Sequence, residues 1–167
     1  MRTLILYFSQ THHTMKLCRN LQKNTALDME KLRERGGSIL SAYTVGLIRA
    51  LRGKGSSLMP ISRDVSGSQR IILAGPVWAG HPAPALIGFL QEYELTGKEI
   101  CCLLTHGGTP GHAEEILRTA VESAGATCVS CLTVASNSEL LSALECGQKN
   151  LSVSPDGTLL LESPKQE

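Results

Sequence analysis

Hydroxyl and imidazole side chains follow the first apolar segment of the chain, Leu4–Phe8, and lead directly into a helix-like segment. These residues are Ser9, Gln10, Thr11, His12, His13 and Thr14. Hydroxyls donate hydrogen bonds to phosphate oxygens, and a helix N-terminus favours negative charge by about 0.3–1 kcal/mol. The hydroxyls at positions 9, 11 and 14 therefore predict a phosphate site that needs no Lys or Arg, although Ser and Thr are also ordinary helix caps.

Two later loops could contact a flat ligand, because each follows an apolar segment and is rich in Gly or Pro. The second loop contains Pro76, Val77, Trp78, Ala79 and Gly80, and the third contains Thr105, His106, Gly107 and Gly108. Trp78, the only tryptophan, could stack on a heterocycle or could fold back onto the core. Consecutive glycines let a backbone approach a ligand closely, which is a weak signal by itself.

All five histidines lie in or directly beside these loops, at positions 12, 13, 81, 106 and 112. Imidazole changes charge at about pH 6.5 and can give or take a proton, so the histidines could tune binding of a cofactor. A transition-metal site is a second interpretation, and exposed histidines without a role are a third. The metal is the less favoured of these because no Asp, Glu or Cys accompanies the histidines in the loops.

Short apolar segments alternate with helix-like segments, which predicts an α/β fold. The strand-like segments are Leu4–Phe8, Ala26–Lys31, Ile71–Ala74, Ile100–Leu104 and Thr127–Val134, and the helix-like ones are Thr14–Gln22, Ala83–Tyr93 and His112–Ala124. Continuous apolar strands are typical of a parallel sheet covered by helices on both faces. Ligands of such sheets bind beyond the carboxyl ends of the strands, where the three loops lie. Part of Gly36–Ser57 is expected to be helical.

We expect a single domain over residues 1–167, with a hairpin-like extension over 148–167 around Pro155-Asp156-Gly157. The first apolar segment is too short to span a membrane, so we expect a cytoplasmic protein with no membrane and no nucleic-acid partner. Residues 1–70 carry twelve Lys/Arg and four Asp/Glu, whereas residues 71–167 carry four and eleven. This asymmetry could mark a basic surface for an anionic ligand or acidic partner, or folding could dilute it.

Cysteine usage fits a reducing compartment, because most of the six cysteines lie in apolar, strand-like segments. Cys128-Val-Ser-Cys131 matches C-x-x-C in spacing. A redox C-x-x-C lies at a helix N-terminus, whereas this one lies in a strand-like segment. A catalytic dithiol within this motif is therefore not expected.

Taken together, the motifs resemble the flavodoxin family over residues 1–135. Leu4–Thr14 resembles its phosphate-binding signature, S/T-x-T-x-x-T after a strand, and Ile72–Pro84 resembles the loop that borders one face of the flavin. Leu95–Gly108 resembles the next strand with the second flavin-flanking loop, and Gly46–Lys54 resembles the helix before the third strand. The resemblance implies a doubly wound five-stranded parallel sheet of order 2-1-3-4-5 that binds FMN. It places Ser9, Thr11 and Thr14 at the phosphate, Trp78 near the isoalloxazine and Thr105–Gly108 at its polar edge.

Three departures from the family pattern bear on function. His12 occupies a position where Gly is common, His106 and glycines replace a stacking Tyr, and the net charge is +1 rather than strongly acidic. The resemblance implies an electron-transfer flavoprotein with a redox partner protein or a small electron acceptor. An FMN-dependent NAD(P)H:quinone-type oxidoreductase is the alternative, and a cofactor-free binding module with the same fold is a further one. The motif of nucleotide hydrolases, G-x-x-x-x-G-K-[ST], does not occur.

Overall fold

The computed structural model describes residues 1–36 and 54–163. Most of Gly36–Ser57, for which a partly helical segment is predicted, lies outside the described residues. In chain order the elements are β1 Thr3–Tyr7, α1 His13–Thr25, β2 Asp28–Lys31, β3 Arg70–Trp78, β4 His81–Pro82, α2 Pro84–Glu92, β5 Glu99–His106, α3 Ala113–Ser123, β6 Thr127–Ala135, α4 Ser138–Glu145, β7 Asn150–Val153 and β8 Leu159–Glu162. None of the described helices is long and apolar enough to cross a membrane.

Five parallel strands form the central sheet in the order β2-β1-β3-β5-β6. The middle strands β1, β3 and β5 are buried over most of their lengths, because helices cover both faces and apolar side chains are favoured on either side. Counting parallel strands only, this is the predicted order 2-1-3-4-5. The short β4 pairs antiparallel with the end of β3 and is additional to the prediction.

Two hydrophobic cores cover the two faces of the sheet, as expected for a doubly wound fold. On one face α2 and α3 pack through residues such as Leu86, Phe89 and Leu117. On the other face α1 packs through Leu17 and Leu21 together with α4 and the C-terminal hairpin. The three- and four-residue spacing of the apolar positions in each helix places them on the side that faces the sheet.

The C-terminal region adds α4 and then the antiparallel pair β7–β8. Leu151 and Leu159 of the hairpin are buried in the same core as α1 and α4. Two asparagines of α1 bind the backbone of β7: Asn20 Oδ1 accepts from Leu151 N at 2.7 Å, and Asn24 Nδ2 donates to Leu151 O at 3.0 Å. The predicted hairpin pairing is therefore present, whereas helix α4 was not predicted from the sequence.

Candidate binding site at the carboxyl edge of the sheet

Three loops meet at the carboxyl ends of β1, β3 and β5. We name them loop A (Ser9–His12), loop B (Ala79–Gly80) and loop C (Gly107–His112). Because the three strands are adjacent and parallel, their ends lie at one edge of the sheet. The contacts described below join each loop, or the strand next to it, to the others.

Loop A contains a buried hydroxyl without a partner. Ser9 is only 3 % exposed, and within the described residues its Oγ makes no hydrogen bond. The buried Oε1 of Gln10 likewise has no partner there. Buried polar groups are nearly always paired, and an orphaned one costs about 1–3 kcal/mol. A ligand with polar atoms at loop A would satisfy both groups.

The start of α1 is open to a ligand. His12 is its N-cap and makes no side-chain cap hydrogen bond, whereas the N-cap Asn137 of α4 accepts from Leu140 N at 2.8 Å. His12 has φ of 65°, in the left-handed region. A non-glycine residue is strained in this conformation.

The hydroxyls of Thr14 and Thr105 are 2.8 Å apart, and each residue is 2 % exposed. Thr14 is in the first turn of α1, whereas Thr105 lies at the end of β5 and pairs with Pro76 of β3 in the strand register. In this pair one hydroxyl donates, so the accepting hydroxyl keeps its own hydrogen for another acceptor. The contact ties the first turn of α1, which follows loop A, to the end of β5.

Loops B and C touch through two glycines. Loop B is a two-residue hairpin turn in which Ala79 (φ 48°) and Gly80 (φ 77°) both have positive φ, the combination of a type I′ turn. Gly111 of loop C also has positive φ, 54°, and a Cβ placed there would lie 2.5 Å from Gly80 Cα. Only a glycine at position 111 allows this backbone-to-backbone approach, because a Cβ at Gly80 would lie 3.4 Å from Gly111 Cα. β3 extends to Trp78 because the hairpin continues its pairing beyond the predicted strand.

A groove of about 460 Å³ lies between loops B and C. Val77, Gly80 and His81 line one side, and His106, Gly108 and His112 line the other. A Cβ at Gly107 or Gly108 would meet nothing within 4 Å, so the backbone there borders open space. This volume falls in the range of small-ligand sites.

Trp78 packs on the core at the base of loop B. Its ring is edge-on to that of Phe8, with centroids 5.8 Å apart and planes at 75°. The indole is only partly buried against the core that contains α2 and α3. The structure therefore places the Trp78 ring against the core, and stacking of Trp78 on a flavin stays a prediction.

Backbone carbonyls orient two of the histidines. Nδ1 of His81 lies 2.9 Å from Ala79 O, and Nδ1 of His106 lies 2.7 Å from Gly108 O. A carbonyl oxygen only accepts, so Nδ1 carries the hydrogen in both rings and Nε2 of a neutral ring is left as an acceptor. Within residues 1–36 and 54–163, no three His, Cys, Asp or Glu side chains come together as metal ligands.

The structure divides the candidate residues into two sets. Ser9, Thr14 and Thr105 form a buried base, and Val77, Ala79, Gly80 and His106–Gly108 border the groove. Thr11 and His12 are exposed and His13 is half-buried at loop A, away from the residues that line the groove. His81, Thr109, Gly111 and His112 also line the groove but were not among the predicted ligand-binding positions. Two of these four residues, His81 and His112, could have been found from the sequence, because they lie in or beside the same loops as the other histidines.

Comparisons with solved structures agree with this architecture. A flavoprotein from Lactobacillus acidophilus NCFM in complex with FMN matches with a TM-score of 0.67 and 18% identity, over 84% of this chain and 98% of that chain. Oxidised flavodoxin 2 from Bacillus cereus matches with a TM-score of 0.52 and 13% identity, over 87% and 94%. Two-electron reduced flavodoxin from Megasphaera elsdenii matches with a TM-score of 0.53 and 17% identity, over 85% and 94%.

The likeness is one of structure, at identities below 20%. No protein-family model and no curated protein sequence matches the chain. The strand order, the covering of both faces and these structural matches lead to one conclusion: the chain has the flavodoxin-like fold.

Proposed function

We propose that this protein binds FMN at the carboxyl edge of its sheet and takes part in electron transfer. The observation that carries the proposal is the buried Ser9 Oγ, which has no partner within the described residues and lies in the loop that leads to the N-cap His12 of α1, where no side chain caps the helix. An isolated fold would not keep such a hydroxyl without cost, whereas a phosphate oxygen would accept its hydrogen. The FMN complex of the structurally similar Lactobacillus flavoprotein supports the same assignment.

In this proposal the phosphate lies at loop A. Ser9, Thr11 and Thr14 donate their hydroxyls, and the first N–H groups of α1 add the favourable end of the helix dipole. Ser9 and Thr14 are already buried and fixed, so little side-chain entropy is lost on binding. Thr11 is exposed and would order only with the ligand.

The flavin ring lies in the groove between loops B and C. Gly107 and Gly108 offer an open backbone edge, and Val77 and Ala79, the chain neighbours of Trp78, line the groove across from them. Nε2 of His106 can accept a hydrogen bond because its Nδ1 donates to Gly108 O. Bound FMN would supply the capacity to accept and release one or two electrons.

An FMN-dependent NAD(P)H:quinone-type oxidoreductase is the second candidate. The observation that favours it is that loops A, B and C themselves contain no Asp or Glu, so these loops offer no carboxylate to a basic redox partner. Purified protein should first be inspected for flavin absorbance. Steady-state oxidation of NADH or NADPH with a quinone then distinguishes the reductase, which turns over, from a carrier, which does not.

Ser9→Ala tests FMN binding through two effects of opposite sign. Removal of the orphaned hydroxyl should stabilise the apoprotein by about 1 kcal/mol in urea unfolding, because no buried donor is left unpaired. The same variant should bind FMN about tenfold more weakly, because a hydrogen bond to a charged oxygen is lost.

Ser68→Ala is the matched control. Ser68 is 1 % exposed, and its Oγ donates to Asp64 O at 2.8 Å, far from the three loops. This variant should be destabilised and should bind FMN with unchanged affinity. Equal FMN affinity of Ser9→Ala and the parent would remove the phosphate assignment. Failure of the parent to bind FMN at all would favour the cofactor-free module.

A cytoplasmic location is part of the same proposal. All six cysteines are free thiols, and three of them are fully buried. Free thiols persist in a reducing compartment and tend to oxidise outside one. Measurement of the protein in cell fractions tests this location.

A further inference from the structure

Three cysteines meet on one face of the sheet, away from the three loops. Cys102 is on β5, directly opposite Cys131 of β6 in the strand register, and Cys128 begins the same β6 segment. All three pack against the core that contains α2 and α3. Residues three apart in a regular strand point to opposite faces, so Cys128 and Cys131 would normally be separated by the sheet.

A β-bulge brings Cys128 and Cys131 to the same face. The register passes from Ile100 opposite Cys128 to Cys101 opposite Ser130, so Val129 is the extra, unpaired residue. Val129 packs on the other face, where Ser130 Oγ also donates to Gly157 O at 2.7 Å. After the bulge, side chains again alternate between the two faces, but shifted by one residue. Cys128 and Cys131 therefore both lie on the face that carries Cys102.

Cys128 is the reactive member of this cluster by its surroundings. Its Sγ lies 4.0 Å from Cys102 Sγ, and it is only partly buried, whereas Cys102 is fully buried. Arg118 of α3 reaches over it and donates from Nη1 to Cys128 O at 3.4 Å. Partial exposure, a nearby guanidinium and a second thiol within reach are typical of redox-sensitive cysteines.

Charges and hydrogen bonding support this assignment. A hydrogen bond from the Cys102 thiol lowers the pKa of Cys128 to about 7, and the positive charge of Arg118 acts in the same direction. Burial of Cys128 and the carboxylates of Glu122 and Glu114, also on α3, oppose this shift. The same contact raises the pKa of Cys102, and a hydrogen bond with Cys131 and burial raise it further.

We propose that Cys128 is a modification site for hydroperoxides, and that Cys102 resolves the product as a disulfide between β5 and β6. In the first step the Cys128 thiolate attacks a peroxide oxygen: an S–O bond forms, the O–O bond breaks, and hydroxide (or alkoxide) leaves. In the second step Cys102 sulfur attacks the sulfenic acid: the S–S bond forms, the S–O bond breaks, and hydroxide leaves with the Cys102 proton as water. Overall, two thiols and one hydroperoxide give one disulfide and one water. The second product is another water from hydrogen peroxide, or an alcohol from an organic hydroperoxide.

Closure of the disulfide requires the two sulfurs to approach from 4.0 Å to about 2.05 Å. Cys128 lies beside the bulged residue, where ladder hydrogen bonding is interrupted and the backbone can adjust. Cys102 is held in the middle strand pair of a buried ladder.

Peptide mapping of the full chain tests the proposal. The protein is treated with hydrogen peroxide, blocked with an alkylating reagent and digested with trypsin, which separates Glu99–Arg118 from Thr119–Lys149. We expect these two peptides to become linked, with loss of two free thiols from six. Cys128→Ser should abolish the link, Cys131→Ser and Cys146→Ser should retain it, and Arg118→Gln should slow its formation at least threefold.

Cys102→Ala should leave a sulfenic acid on Cys128 that dimedone traps, and Cys102→Val serves if the alanine variant does not fold. The mapping of the parent protein needs no variant, so a folding failure does not remove the test. The proposal is overturned if the parent forms no link at a peroxide concentration that oxidises exposed Cys146, or if the link survives Cys128→Ser. None of these measurements depends on FMN.

Discussion

Gly111→Ala should separate loops B and C and thereby weaken both stability and ligand binding. A Cβ at Gly111 would lie 2.5 Å from Gly80 Cα, 3.2 Å from Gly80 O and 3.3 Å from Gly80 C. Ordinary carbon–carbon contacts are about 3.5–4.0 Å, so the loops must move apart by about 1 Å. All three contacted atoms belong to backbone, so no side chain can rotate away to relieve the overlap.

The expected loss of stability has two parts. Alanine at a left-handed position costs about 1–2 kcal/mol, and overpacking against fixed atoms adds about 1–3 kcal/mol. We therefore expect Gly111→Ala to lower the free energy of unfolding by about 2–5 kcal/mol in urea. FMN affinity should fall at least tenfold, because the groove between the loops changes shape.

Gly97→Ala isolates the conformational part. Gly97 also has positive φ, 75°, but a Cβ there would meet nothing within 4 Å, and the residue is remote from the groove. The free energy of unfolding of the Gly97→Ala variant should fall by about 1–2 kcal/mol, and its FMN affinity should equal that of the parent. If Gly111→Ala is no less stable than Gly97→Ala, the close approach of loops B and C is wrong. If it is less stable but binds FMN unchanged, the groove is not the flavin site.

Three other predictions use contacts elsewhere in the chain. Ala79→Gly should raise the free energy of unfolding by about 1–2 kcal/mol, because it relieves a left-handed alanine in the loop B turn, and an unchanged urea midpoint would contradict this. Glu99→Gln should destabilise the fold by about 1–3 kcal/mol, because the buried Arg70 guanidinium loses its 2.6 Å ion pair, and Arg70→Met in the same chain should recover part of the loss in urea unfolding. The rate of Cys128 alkylation should rise with pH about a midpoint near 7, and Cys102→Ala should move that midpoint upward, since the hydrogen bond that lowers the Cys128 pKa is removed.

The three middle strands of the sheet could be predicted from the sequence because they are buried on both faces. The short apolar segments Ile71–Ala74 and Ile100–Leu104 contain no polar residues at helical spacing, so their pattern favours strands. They lie within β3 and β5. Helix α4 was missed because it is only eight residues long and has little periodicity to detect. Its stability depends on packing of Leu140, Leu141 and Leu144 against the sheet, which is a tertiary effect.

In the candidate site, the positions of the loops could be predicted from the sequence, whereas the contacts between them could not. The loops could be predicted because each follows an apolar strand, and parallel strands bring their carboxyl ends together. The contact between Gly80 and Gly111 joins residues far apart in the chain and depends on the positive φ of both. Likewise, the hydroxyl pair Thr14–Thr105 and the orphaned Ser9 Oγ depend on side-chain directions that a local pattern does not specify.

The cysteine cluster shows why some features cannot be inferred from such a pattern. Strand β6 was correctly predicted to contain Cys128 and Cys131, and regular alternation would then place them on opposite faces of the sheet. A register shift is readable only where one face is polar, because then a slipped residue interrupts the alternation. Both faces of β6 carry apolar contacts, with Cys128 and Cys131 on one and Val129 and Leu132 on the other, so the sequence tolerates the bulge without marking it. The same two-sided burial that makes the strand easy to predict therefore conceals the one-residue shift that brings the three thiols together.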